Sequence, residues 1–228
     1  MMIIQLPFRV LLVAATLSVA ATQASDAQSA GRGAKSPTRA AQPAAPRRPV
    51  LLDPTSAFWS QHAPATVTAD IETSRGTVTI ELVRAWAPVG VDHLYNLARA
   101  GYYNDTRVFR VLFGFIAQFG IAADPAVANL WGSHTIAADP PREHNVRGTL
   151  AYAQFKPTDR TTNVFINMRD NENLDTLGFV PIGHVLQGMD VVDSLYATYG
   201  ELPISDPPIG DPKRLYAESN KYLDAKYP

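Results

Sequence analysis

Apolar and polar residues alternate along 66–73, where Val67, Ala69 and Ile71 fall two apart, and again along 77–83, where Val78, Ile80 and Leu82 do the same. A period of two belongs to a strand with one buried face, and Ser74, Arg75 and Gly76 between the runs supply turn chemistry. The pattern therefore predicts an antiparallel hairpin. The period then changes. Val91, Leu94, Leu97 and Ala98 recur at three- and four-residue spacing, after Pro88, which a first helical turn tolerates, and before Gly101, which stops a helix. These signals predict an amphipathic helix of about 13 residues. Period-two or short apolar runs return at 108–112, 115–118, 149–153, 164–167 and 180–185, separated by Gly, Pro, Asn and Asp clusters. A second helical pattern covers 189–196, with Val191, Val192 and Leu195 on one face. Many short strands with only two helical patterns predict a mainly β fold, a closed barrel rather than alternating βαβ units.

The ends of the chain read differently. Arg9 precedes the apolar stretch Val10 to Ala15, and small residues follow through Ala24. This pattern predicts a secretory signal peptide over 1–24, too short for a span, and hence an exported protein, periplasmic or secreted, that stays membrane-tethered only if the segment is not cleaved. Residues 25–49 are rich in Ala, Pro, Ser, Gly and Gln, carry Arg32, Lys35, Arg39, Arg47 and Arg48, and lack anything to bury, so a disordered basic Pro/Ala-rich linker is expected. An N-terminal extension over 50–65 leads into an ordered domain over 66–198. A C-terminal tail over 199–228 begins Pro- and Gly-rich and becomes weakly helical and polar from Leu215 to Tyr227. The 228 residues, 46% apolar and 18% charged, suit a soluble globular protein. A formal net charge of −1 gives no global pull toward nucleic acid, and the absence of cysteine removes disulfides, thiolate nucleophiles and zinc-thiolate sites together. A monomer is expected.

Candidate chemistry concentrates in RVFRVLFGFIAQFG, residues 107–120. Arg110 stands among Val108, Phe109, Val111, Leu112 and Phe113, and a charge in such a run must reach a cleft or be paired, because burying it unpaired is very costly. Pairing with a carboxylate such as Glu81 is the structural alternative. Gly114 breaks the alternation, so a bend can bring Phe115 and Gln118 to the same groove as Arg110. Ala153, Gln154, Asn163 and Phe165, from two later strands, would add to an apolar floor bordered by an arginine and three amides. Such a surface suits an extended peptide with one apolar, ring-shaped side chain. The five histidines have no ligand-like spacing, so no metal is expected; Asp170, Glu172 and Asp175 read as a turn, and no G-x-S-x-G context marks a nucleophile.

With HNVRGTLAYAQF, RTTNVFINMRDNENLD and GHVLQGMDVVDSL following RVFRVLFGFIAQFG in this order, and GTVTIELVRAWAP and GYYNDTRVFRV before them, residues 66–198 resemble the cyclophilin family of peptidyl-prolyl cis-trans isomerases. The resemblance implies an eight-stranded antiparallel β-barrel, closed and capped by two α-helices, with a substrate groove on its outer face. It makes Arg110 the catalytic arginine, with Phe115 and Gln118 completing the catalytic trio. Phe115, Ile116, Phe165 and Leu174 would form the proline pocket, and Ala153, Gln154 and Asn163 the subsite for residues preceding proline. It implies no cofactor, and proline-containing polypeptide segments as partners. A guanidinium aimed at the prolyl nitrogen meets a lone pair that exists only when the amide is twisted, which is the differential binding catalysis requires. The chain departs from the family's usual pattern at Phe109, Phe119, Ile121, Asn163 and Asn173. These departures imply poor cyclosporin affinity, an altered peptide preference and a looser hold on Arg110. The alternative function is a non-catalytic cyclophilin-like chaperone or scaffold that holds proline-containing segments; a polysaccharide-binding barrel is a third class.

Overall fold

The structure is a computed structural model that describes residues 9–10, 48–199 and 212–227. The segment expected as a signal peptide, apart from Arg9 and Val10, the expected linker up to residue 47 and the Pro- and Gly-rich start of the tail lie outside the described residues. Among the described residues, no helix is long and apolar enough to cross a membrane.

In chain order the elements are β1 (Arg9–Val10), α1 (Arg48–Leu51), β2 (Thr66–Thr73), β3 (Gly76–Val83), α2 (Pro88–Ala100), β4 (Val108–Leu112), β5 (Ile116–Phe119), α3 (Pro125–Gly132), β6 (Thr149–Tyr152), β7 (Val164–Asn167), β8 (Pro181–Gln187), α4 (Met189–Asp193), α5 (Pro212–Glu218) and α6 (Asn220–Lys226), with 3-10 turns at Ala57–Ser60 and Glu172–Leu177. All pairings are antiparallel, and the strands form one sheet in the order β1-β2-β3-β8-β6-β7-β5-β4.

The expected closed eight-stranded barrel is therefore corrected. Strands β2 to β8 make a seven-stranded half-barrel, β1 adds two residues beside β2, and β4 pairs with β5 alone. Closure would need strands long enough to keep their stagger around the whole ring. Here β4 to β7 are four or five residues each. Helices complete the core instead. Leu94 and Leu97 of α2, Val127 and Trp131 of α3, Leu215 of α5 and Leu223 of α6 share one apolar cluster with Ile80, Leu82, Leu150 and Ile182 from the sheet. The two expected capping helices correspond to α2 and to a shortened α4, which stops at Asp193 where Ser194 folds its hydroxyl back onto the Val191 carbonyl (2.8 Å).

The hairpin and the first helix form where the hydrophobic period places them. Pro88 occupies the first turn of α2, and the N–H groups left open there are met from across the fold: Val89 and Gly90 donate to the Asp139 carboxylate at 2.8 and 2.9 Å. Asp139 in turn pairs with buried Arg160 (3.1 Å). The segment before the domain is part of this packing. Trp131 donates its indole N–H to the Leu51 carbonyl (2.8 Å) and stacks edge-on against Trp59, while Asn96 donates to the carbonyls of Trp59 and Gln61. The stretch expected as a polar tail forms α5 and α6, which bury Leu215, Tyr222 and Leu223 and are pinned by Arg107 against Asp224 (3.0 and 3.1 Å).

Candidate active site

Alternation decides which residues face the core and which face outward. On β4, Phe109 and Val111 point into the core, so Arg110 between them points out; Glu81, the carboxylate considered as its partner, lies against His184 across the β3–β8 pair instead. On β5, Ala117 and Phe119 belong to the main core, whereas Ile116 and Gln118 face outward. On β7, Val164 and Ile166 are core and Phe165 is outward; on β6, Leu150 and Tyr152 are core and Ala151 is outward.

Register then lines these outward residues up. Across β4, β5, β7 and β6, Arg110 pairs with Gln118, Gln118 with Phe165, and Phe165 with Ala151. Opposite residues in antiparallel strands bring their side chains within contact range, so one row crosses the sheet from a guanidinium to an apolar floor. Arg110 Nη1 donates to Gln118 Oε1 at 3.0 Å, and Gln118 itself is only 4% exposed. A buried amide held in place is a rigid seat for the arginine it accepts from. Phe109, Phe119 and Ile121, whose unusual identity suggested a looser hold on Arg110, are all buried in the main core, on the other side of the sheet from the guanidinium.

Ile116, Ala151, Phe165 and Leu174 form a second apolar cluster separate from the core, with Phe115, Ala153 and Phe179 half-buried around it. Phe115 closes the turn after β4, its N–H donating to the Leu112 carbonyl (2.9 Å), and so it stands at the edge of this floor rather than in the strand expected to start there. Phe179 meets Phe165 edge to face, with ring centroids 5.7 Å apart. All four residues expected to form the proline pocket, Phe115, Ile116, Phe165 and Leu174, are thus brought together.

The amide side of the site lies where β6 and β7 part. Ala153 donates its N–H to the Asn163 carbonyl (2.9 Å), Gln154 donates Nε2 to the Gly178 carbonyl (2.9 Å), and Asn163 donates Nδ2 to the Tyr216 hydroxyl (2.7 Å). Gly120 permits this closeness: a Cβ there would sit 2.8 Å from the Asn163 Cα.

Several contributors have no signal in the apolar pattern. Ala151 and Phe179 complete the floor. Beneath the rim runs a chain of buried amides: Asn171 donates to the Phe115 carbonyl (3.0 Å) and to Asn167 Oδ1 (2.8 Å), Asn167 donates to Asn145 Oδ1 (3.1 Å), and Asn145 donates to the Phe179 carbonyl (2.8 Å) and to Asp175 (2.7 Å). This network fixes the backbone of both rim phenylalanines. Its only mark in the sequence is the run of asparagines in HNV and INMRDNEN. Burial pushes the Asp175 carboxyl up, but hydrogen bonds from Asn145 and His144 outweigh it and hold the group below the usual carboxylate range. Asp175 thus serves as a fixed acceptor within the acidic turn.

The outward face of the half-barrel thus carries a floor of aromatic and aliphatic side chains edged by a seated arginine and by amides. Comparison with known proteins specifies the class. The family profile described as cyclophilin type peptidyl-prolyl cis-trans isomerase/CLD matches residues 68–211. The chain is 32% identical over 157 residues to a peptidyl-prolyl cis-trans isomerase of Acinetobacter baylyi, covering 62% of this chain and 80% of that one. It is 33% identical over 132 residues to peptidyl-prolyl cis-trans isomerase B of Escherichia coli K12, covering 54% and 80%. Among solved structures, the Cryptosporidium parvum cyclophilin type isomerase in the presence of the dipeptide Ala-Pro is similar in fold, with a TM-score of 0.51 at 23% identity over 60% of this chain and 92% of that one. The cyclophilin AquaCyp293 of Hirschia baltica gives a TM-score of 0.51 at 19% identity over 63% and 72%. The chain belongs to the cyclophilin-type peptidyl-prolyl cis-trans isomerase family, and it is an isomerase.

Proposed function

We propose that this isomerase accelerates rotation about X-Pro bonds by presenting Arg110 to the prolyl nitrogen while the proline ring rests on Ile116, Phe165 and Leu174, and that it acts on exported polypeptides. The observation that carries the reading is the row from Arg110 through Gln118 to Phe165, in which the guanidinium is held at 3.0 Å by a buried amide one strand away from the apolar floor. Rotation makes and breaks no covalent bond. Its barrier of about 18 to 20 kcal/mol comes from amide resonance, which is lost when the amide twists and the nitrogen becomes pyramidal. The guanidinium gains an acceptor only in that twisted state, so its hydrogen bond lowers the barrier rather than the ground state. The apolar floor favours the less polar twisted amide over water. Slow proline steps of about 10 to 100 s give such an enzyme its use in folding. The arginine and apolar run at residues 9–15 support the exported setting.

A protease-free isomerisation assay on a short X-Pro peptide tests the mechanism. The wild type should accelerate interconversion, and Arg110→Ala should lose about 100- to 1000-fold in kcat/KM, the range for one transition-state donor. No acceleration by the wild type sinks the isomerase function; an Arg110→Ala variant as active as the wild type sinks the arginine mechanism. N-terminal sequencing of the protein recovered outside the cytoplasm tests export, and recovery only inside the cytoplasm refutes it.

A further inference from the structure

The family match ends at residue 211, one position before α5 begins, yet α5 sends a side chain to a groove residue. Tyr216 is held from three directions. Its ring lies over Gly132 at the end of α3, where a Cβ would come within 2.6 Å of the ring. Its carbonyl accepts from Asn129 (3.2 Å), and its hydroxyl accepts from Asn163 Nδ2 (2.7 Å). The helix that carries it is fixed by buried Leu215, and α6 beyond it by Arg107 against Asp224 and by Asn220 donating to the Asp105 carbonyl (2.8 Å). Burial pushes the Tyr216 phenol above its ordinary pKa, so it remains a neutral hydroxyl at physiological pH.

The consequence falls on Asn163. A carboxamide has one donor end and one acceptor end, and Tyr216 engages the donor end. Asn163 Oδ1 is then buried with no hydrogen-bond partner among the described residues, in a side chain whose residue is 9% exposed. Gln154 repeats the arrangement. Its Nε2 is engaged by the Gly178 carbonyl, which can only accept, and its Oε1 is buried without a partner among the described residues. Two amides beside the groove therefore each have an N–H committed to the fold and an acceptor end without a partner among the described residues. A buried acceptor without a donor is costly, and a ligand that offers N–H relieves it. Proline has no N–H, so in an X-Pro segment the donors belong to the residues around it.

We propose that Tyr216 is a positioning residue: by engaging Asn163 Nδ2 it presents Asn163 Oδ1 to the backbone N–H of the residue preceding proline, making the C-terminal helix pair part of the substrate groove. This rests on the reading of the groove as the X-Pro site.

The test uses the full chain and a pair of peptides that differ only in that the residue preceding proline is joined through an amide or, with its N–H replaced by oxygen, through an ester. The wild type should favour the amide peptide about tenfold in kcat/KM. Tyr216→Phe, which keeps the ring on Gly132 and should melt within a few degrees of the wild type, should lose most of that preference. Asn163→Ala should lose it as well, and adding Tyr216→Phe to Asn163→Ala should change nothing further. A wild type inactive on both peptides overturns the X-Pro reading and this proposal with it. An active wild type whose preference survives in Tyr216→Phe, or additive losses in the double variant, overturns the role of Tyr216 alone.

Discussion

Strands β5, β6 and β7 each feed two apolar clusters, and the two have different jobs. Leu150, Val164 and Ile166 face the core shared by the sheet and the helices, whereas Ala151, Ile116 and Phe165 face a small floor whose rim of Phe115, Ala153 and Phe179 is half-open. Both clusters are apolar and both are well buried, so composition does not tell them apart. What separates them is their boundary. The core is bounded by more core, and the floor by a seated arginine and by amides with unused acceptors. An apolar cluster becomes a site when polar groups of fixed geometry border it and part of its edge stays open.

The sharpest way to break the comparison is to empty each cluster in turn. Leu150→Ala in the core should cost about 2 to 5 kcal/mol of stability while leaving kcat/KM per folded molecule unchanged. Phe165→Ala should also destabilise, by about 3 kcal/mol or more, but should lower kcat/KM of the folded protein by at least about tenfold. Denaturant unfolding together with activity corrected for the folded fraction reads both; equal activity losses would erase the distinction.

Acid probes the core through His93. His93 on α2 packs against Trp131 and Tyr152 and, although the residue is only half-buried, its Nε2 is shut off from water and has no partner among the described residues. Desolvation, helped by the nearby charges of His134 and Arg160, pushes its pKa down to about 4. The unfolded chain takes up this proton near pH 6.5 and the folded chain only near pH 4, so this stability is fully present above pH 6.5 and is lost as pH falls toward 4. The loss should reach on the order of 2 to 3 kcal/mol. His93→Gln should flatten the melting temperature against pH over that window, while kcat/KM per folded molecule follows the same pH profile as the wild type. An unchanged slope in the variant would contradict the assignment.

The smallest effect tests the seat of the arginine. Gln118→Ala removes an amide that accepts from Arg110 while keeping every apolar side chain of the floor, and should lower kcat by about tenfold with KM little changed, equivalent to about 1.4 kcal/mol. A rise in KM at constant kcat would mean that Gln118 binds peptide instead of holding Arg110.

The hairpin, α2 and the strand positions were legible because each carries its own period, and the motif around Arg110 was legible because Arg110 interrupts one. The open half-barrel was not, since whether a sheet closes depends on strand length and stagger around the whole ring, which no local window of sequence reports. Helix α3 escaped notice because its eight residues, opened by Asp124 and Pro125, show no long amphipathic stripe. The tail reads as polar because, among its described residues, Leu215, Tyr222 and Leu223 are the only buried hydrophobic ones in a stretch rich in charge. Asn163 is legible as a groove residue, but its partner Tyr216 lies 53 residues away and carries no mark of its own. Contacts made across the fold by single polar atoms leave no periodic trace.

Binding and catalysis separate most directly in an exchange measurement on one peptide. With a short X-Pro peptide at fixed occupancy of the groove, NMR exchange between its cis and trans signals should be fast with the wild type and about 100-fold slower or worse with Arg110→Ala. Peptide-induced shifts at Ile116 and Phe165 should persist in both proteins. Exchange as fast in Arg110→Ala as in the wild type, with the same shifts, would contradict the claim that the seated arginine turns this apolar floor into an isomerase site.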